Sequence, residues 1–150
     1  MTDQNERIDD LDRRVSVLET ALGHAAPEKS DADGSVQFSG DVSGNGRRYR
    51  YVWERPVAFF ETVDWSESFE RLAALAHPAR AGILRHLLFN HATAANLVEN
   101  EVVTSTGSAY HHLGALQSAG WVSKNLDGSF EIPAARVVPL LTILTAAEDH

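Results

Sequence analysis

The sequence predicts a mainly α protein with small β elements: a helical domain preceded by a β-hairpin and by an N-terminal coiled-coil helix. Three observations carry this. Apolar residues recur at helical spacing, with capping signals, from Asp64 onward; aromatic and polar residues alternate around 47–53; and an apolar 3-4-3-4 repeat occupies the start of the chain. The expected division is a coiled-coil helix over 1–23, a linker over 24–34, a β-hairpin segment over 35–63, and a helical domain over 64–150 that ends in a dimerisation helix.

In the first segment Ile8, Leu11, Val15, Leu18 and Leu22 hold the a and d positions of a heptad repeat, with Ile8, Val15 and Leu22 at a. β-branched residues at a with leucine at d favour two parallel strands. The flanks agree: Arg7 and Arg14 fall at g, and Asp12 and Glu19 fall at the e positions that would face them across a dimer. Two heptads alone are marginal, so a single amphipathic helix packed on its own domain stays open. Gly23 and Pro27 end the helix, and an Ala-, Asp- and Ser-rich linker follows.

Beyond the linker, Val36 and Phe38 alternate with polar residues, and 41–46 supplies turn chemistry. Tyr49, Tyr51 and Trp53 then alternate with Arg48, Arg50 and Val52 until Pro56 closes the second strand. One face of this hairpin is aromatic. Tyr49, Tyr51 and Trp53 either pack on the helical domain or wall a pocket for a small-molecule effector.

The helical domain opens at Asp64, which with Glu67 makes a capping-box-like start, and Trp65, Phe69, Leu72 and Ala76 form its apolar stripe. Pro78 suits the first position of a second helix with Ile83, Leu84, Leu87 and Leu88 inward, ending near Asn90. Thr93 caps a short third helix carrying Leu97 and Val98. Thr104, Ser105 and Thr106 offer caps for a fourth, with Ala109, Leu113 and Leu116 inward and Gly120 just past its end. Two short strands, 121–124 and 129–132, flank the turn 125–128. Pro133 and Pro139 punctuate the segment 137–147, which reads as a short turn leading into a last helix. This order is that of a winged helix-turn-helix, whose fourth helix enters the DNA major groove.

The residues are more specific than the order. Leu72-Ala73-Ala74-Leu75-Ala76-His77-Pro78-Ala79-Arg80 with Ile83-Leu84, and Tyr110-His111-His112-Leu113 with Leu116 and Ala119-Gly120-Trp121-Val122, resemble the ArsR family of transcriptional regulators over residues 66–147. The resemblance implies base contacts from Ser108, Tyr110 and His111, and backbone contacts from Ser105 and Thr106. The residues themselves suit that role, since Thr106, Gly107, Ser108, Tyr110, His111 and Gln117 are side chains able to approach base edges. Adjacent histidines diverge by about 100° around a helix, so only one faces the groove, and His111 is the expected one.

The chain also departs from the family's pattern. The stretch 99–104 holds one extra residue and lacks the glycine often found in that turn, the fourth helix has no Lys or Arg, and the wing offers only Lys124. Phosphate contacts dominate non-specific affinity. Positive charge must therefore come from Arg80, Arg85 and the hairpin's Arg47, Arg48 and Arg50, and binding should be weak per protomer and depend on dimerisation. Leu140, Leu141, Ile143 and Leu144 of the last helix offer a second dimer contact beside the heptad seam.

Charge and composition bound the alternatives. The net charge is −8, and it is uneven: residues 1–34 carry four basic against nine acidic groups, 35–64 carry four of each, and 65–150 carry five against eight. With 43% hydrophobic and 23% charged residues the chain is of ordinary globular composition. No apolar run approaches the roughly 20 residues of a membrane span, and the N-terminus lacks the signature of a secretory signal, so the expected location is the cytoplasm. The absence of cysteine removes disulfides and thiolate chemistry. The family's best-known metal sites use Cys-x-Cys or Asp/His sets on the last helix, neither of which this sequence supplies; His77, His86 and His91 form no pair at ligand spacing. No metal, cofactor or catalytic motif is expected, and the chain does not read as an enzyme. The expectation is a homodimeric regulator of double-stranded DNA, answering to a small-molecule effector. The alternative is a protein-interaction module on the same scaffold with little DNA affinity.

Overall fold

A computed structural model of the 150-residue chain describes residues 14–15 and 34–149. Of the heptad positions only Val15 is described; it is helical, like Arg14, and about half exposed. Ile8, Leu11, Leu18 and Leu22 lie outside the described residues, so the coiled coil does too.

The described residues form six helices and two antiparallel hairpins. In chain order they are β1 (Ser35–Gly44), β2 (Arg47–Pro56), α1 (Val57–Thr62), α2 (Ser66–Leu75), α3 (Pro78–Leu87), α4 (Ala94–Glu99), α5 (Thr106–Ser118), β3 (Ser123–Lys124), β4 (Phe130–Glu131) and α6 (Ala134–Ala146).

The first hairpin is longer, and its turn tighter, than expected. β1 runs on through Gly44, and only Asn45 and Gly46, at φ 48° and 74°, make the turn. Two consecutive left-handed residues suit a two-residue hairpin turn, for which Asn-Gly is a preferred pair. The strands pair from Ser35↔Pro56 to Gly44↔Arg47, which puts Phe38, Gly40, Val42 and Gly44 on the same face as Tyr49, Tyr51 and Trp53. Gly44, which fell in the stretch expected to turn, and Gly40, just before that stretch, are needed for close approach. A Cβ on Gly40 would sit 2.7 Å from Val138 Cγ1, and one on Gly44 would meet the Phe89 ring at 2.5 Å. Asn45 fastens the turn by donating to Phe89 O and Asn90 Oδ1.

The hairpin segment holds a helix that was not anticipated, α1. After Pro56 the Val57 N–H donates to Gly34 O, and six residues too few to show a helical period follow. Nor does Asp64 cap α2 through a box with Glu67. It accepts from the N–H and hydroxyl of Ser66 instead, and Trp65 is the N-cap residue.

The other helices start and stop as their caps dictate. Pro78 opens α3 behind a capping His77, whose Nδ1 accepts from Ala79 N at 3.1 Å. Thr93 and Asn96 form a reciprocal capping box on α4. Ser105 Oγ accepts from Ser108 N at the start of α5. α5 ends in a Schellman motif, with Trp121 N donating to Leu116 O, Gly120 N donating to Gln117 O, and Gly120 at φ 75°. α4 ends in the same way without glycine. Val102 N donates to Leu97 O and Glu101 N to Val98 O, while Glu101 itself takes φ 57°. That left-handed glutamate lies in the stretch where the sequence lacked a glycine.

α6 is a single helix through Pro139, not a turn followed by a helix. The carbonyl that Pro139 leaves without an N–H belongs to Ala135, an exposed residue in the first turn. Ile83 and Leu87 of α3, Leu97 of α4, Leu113 and Leu116 of α5, and Val137 and Val138 of α6 are the largest fully buried side chains, so the core lies among these four helices. β4 adds a bridge from Phe130 to Ala92, tying the β3–β4 hairpin to the start of α4. α2 is held more loosely, by buried Ala74 and by the indole N–H of Trp121 donating to Arg71 O at 2.8 Å. Its stripe faces outward: Trp65 and Phe69 are 54% and 58% exposed and stack at 6.1 Å.

Candidate nucleic-acid interface

α5 presents one face to the core and one to solvent. Ala109, Leu113 and Leu116 are buried, whereas Gly107, Tyr110, His111, Gly114, Gln117 and Ser118 are exposed and recur at helical spacing. The outer face is therefore polar, uncharged by Lys or Arg, and low in relief at its two glycines. Nothing lies within 4 Å of a Cβ built on Gly114. An exposed glycine inside a helix costs about 0.5–1 kcal/mol relative to alanine.

The expected site residues distribute unevenly around this face. Tyr110, His111 and Gln117 lie on it, and Thr106 is exposed at its start. Ser105 is occupied as the cap, and Ser108 is half-buried behind it. Tyr110 meets the edge of the buried Phe130 ring at 6.5 Å, and Lys124 of β3 places its ammonium 5.6 Å from the same ring. Phe130, which sequence reasoning left out, thus joins the α5 face to the one cation of the β3–β4 hairpin.

The two α3 arginines separate. Arg80 borders a cleft of about 570 Å³ with Ala115, Ser118 and Ala119 of α5, together with Glu67, Glu70 and Arg71 of α2. Its Nε is buried and without a hydrogen-bond partner. Arg85 instead rims an apolar groove of about 320 Å³ formed by Leu75, Leu84 and Leu88 with Leu140, Leu141, Ile143 and Leu144 of α6. Its neighbourhood is that of the last helix.

The hairpin arginines are largely neutralised. Arg48 donates to both Asp41 oxygens, at 2.7 and 2.5 Å, and Arg50 donates to the second at 3.1 Å. This pair of guanidinium groups holds the Asp41 carboxyl down at about 2. Arg47 reaches Glu131 of β4 at 3.3 Å.

Two histidines that the sequence kept apart come together. His77 lies 4.6 Å from His112 between ring centroids, and His112 lies 5.1 Å from His111. Burial, then His77, His111 and Arg80, hold the His112 ring below the usual histidine range. The position of His77 directly before Pro78 was the available signal for its capping role. Among the described residues no group of three His, Cys, Asp or Glu is arranged to hold a metal ion.

No protein-family model matches the chain, and no curated protein matches it. Function must be argued from the site alone.

The aromatic hairpin face divides along its length. Tyr49 packs on Phe89 at 6.4 Å against the core, Tyr51 stacks between Phe38 and Trp53, and Trp53 is 43% exposed beneath the Arg55 guanidinium, 4.0 Å from its ring centre. None of the three lines the cleft of about 460 Å³ between β1 and α6, whose walls include Phe38, Val42, Val138, Leu141 and Thr142.

Proposed function

We propose that this chain is a winged helix-turn-helix regulator that binds double-stranded DNA as a homodimer, in the manner its resemblance to the ArsR family implies. The observation that carries the reading is the outer face of α5, polar and low in relief, beside a two-stranded hairpin whose Lys124 stands over Phe130. A helix that enters the major groove needs short or polar side chains on its open face and an adjacent cation for the backbone. Tyr110, His111 and Gln117 read bases; Thr106, Lys124 and Arg80 address phosphates.

The homodimer rests on unpartnered apolar surface. Trp65, Phe69 and Leu72 of α2 are exposed, and Leu75, one turn on, continues into the groove of α6, where Leu144 is 59% exposed. Large apolar side chains left exposed along one helix, beside an apolar groove, suit a surface that another chain covers. A second copy would double the phosphate contacts that one protomer makes poorly. The cleft between β1 and α6 is where a small-molecule effector would act on that dimer. Among the described residues no helix is long and apolar enough to cross a membrane.

A protein-interaction module remains the second reading, favoured by one observation: the α5 face carries no Lys or Arg in a chain of net charge −8. Selection from genomic DNA fragments at low and at moderate salt separates the two. Enrichment of a palindrome, with His111→Ala reducing its preference over random DNA by about 1–3 kcal/mol, supports the regulator. No enriched sequence at low salt supports the module.

A further inference from the structure

The α5 face has only one ionisable cation of its own, His111, and it stands at the outer end of a row of imidazoles. His112 is next at 5.1 Å and His77 next again at 4.6 Å, with Arg80 acting on the middle ring. The inner two are committed. His77 accepts the Ala79 N–H at Nδ1 and is taken up in capping α3. His112 is disfavoured as a cation by its burial and by the like charges around it. His111 alone is exposed to whatever meets the face.

Of the surrounding carboxylates, Glu67 and Glu131 are ion-paired, whereas Glu70, Glu99, Glu101 and Asp127 have no cationic partner within ion-pair distance among the described residues. On α2, Glu67 is engaged by Arg71, and Glu70 borders the Arg80 cleft without forming an ion pair with it. On α4, Glu99 accepts from Asn96, and on the β3–β4 hairpin Glu131 is held by Arg47 and Asp127 by Ser129. Lys124 adds a further positive charge on that hairpin.

We infer that DNA binding by this face takes up a proton, with His111 entering the complex as an imidazolium. Neutral imidazole offers one donor and one acceptor, whereas the cation donates from both nitrogens, matching surfaces that only accept: a phosphate oxygen, or O6 and N7 of guanine. The polyanion supplies the charge that makes the proton favourable where no Lys or Arg does. The inference rests on the DNA-binding reading and adds its regulation: a groove helix without fixed charge becomes a reader whose affinity is set by pH. The bound state holds one proton more than the free components, so affinity rises as pH falls through the histidine range.

The test is fluorescence anisotropy with a labelled random-sequence duplex at constant ionic strength, from about pH 8 down to about pH 6, for the wild type and His111→Gln. The expected wild-type slope approaches about one decade of affinity per pH unit, the limit for one proton, and His111→Gln flattens it. NMR of the His111 ring, assigned with the same variant, should show its titration moving to higher pH on addition of duplex. Binding with no pH dependence, or with the wild-type slope kept in His111→Gln, overturns proton uptake and leaves DNA binding standing. No binding at either pH at low salt overturns both.

Discussion

The seating of the first hairpin on α6 can be tested at Gly40. An alanine there would put its Cβ 2.7 Å and 3.3 Å from the two methyls of Val138, which is 2% exposed and β-branched, with little rotameric freedom to yield. Overpacking of this kind costs about 1–3 kcal/mol, against which alanine recovers about 0.5–1 kcal/mol of the backbone entropy that glycine loses in a strand. The net expectation for Gly40→Ala is a loss of roughly 0.5–2 kcal/mol. Val138→Ala alone removes two buried methyls and costs about 2 kcal/mol. Together the two should cost less than their sum, because the truncated valine makes room for the new methyl. A double-mutant cycle by urea denaturation, at one protein concentration because the proposed dimer's stability would depend on it, should give a coupling of at least about 1 kcal/mol. Additivity within about 0.5 kcal/mol would mean that β1 and α6 do not approach as described.

Other consequences are as direct. Glu101→Gly should raise the thermal midpoint, because relief of a left-handed backbone worth about 1–2 kcal/mol exceeds the entropy cost of glycine; a lower midpoint would count against the strained cap. Asp41→Asn should lower the hairpin's stability at neutral pH. Because the Asp41 pKa is depressed to about 2, the stabilisation is present above the ordinary carboxylate range and is lost as pH falls through about 2, so thermal melts of the two proteins should converge there. Phe69→Glu combined with Leu144→Glu, at two exposed apolar positions, should weaken the proposed dimer by light scattering; an association of unchanged strength would place the interface elsewhere. Arg85→Ala, sited on the α6 groove, should leave the salt dependence of the proposed DNA binding unaltered, whereas Arg80→Ala should flatten it by about one unit of slope.

What could be read from the residues was chiefly local. Pro78, Thr93, Ser105 and Gly120 each act within one helical turn, and each marks a boundary the structure has. Tyr49, Tyr51 and Trp53 showed their shared face because strand alternation depends only on neighbours. Gly44 misled because glycine serves a turn and a close approach equally well, and the Phe89 ring it approaches lies over forty positions away in sequence. The stripe of Trp65, Phe69 and Leu72 was visible as a stripe, but its periodicity does not say whether the surface that covers it belongs to the same chain. At the candidate site, helical geometry required that only one of His111 and His112 turn outward, and His111 is the exposed one. The row it forms with His112 and His77 required the packing of α3 on α5, which no spacing records.

The β1–β2 ribbon fixes a length as well as a surface. Ten residues per strand reach about 33 Å, with Asn45 fastened to the loop after α3 at one end and Gly34 bonded to Val57 at the other. It works as a strut, setting how far from that loop the chain emerges at Gly34. Its tolerance to change follows the pleat: lengthening both strands by two residues would move the point of emergence by about 7 Å and keep the aromatic side inward, while lengthening them by one would turn Arg48 and Arg50 toward α6. Evolution or design can therefore adjust this spacing only in even steps.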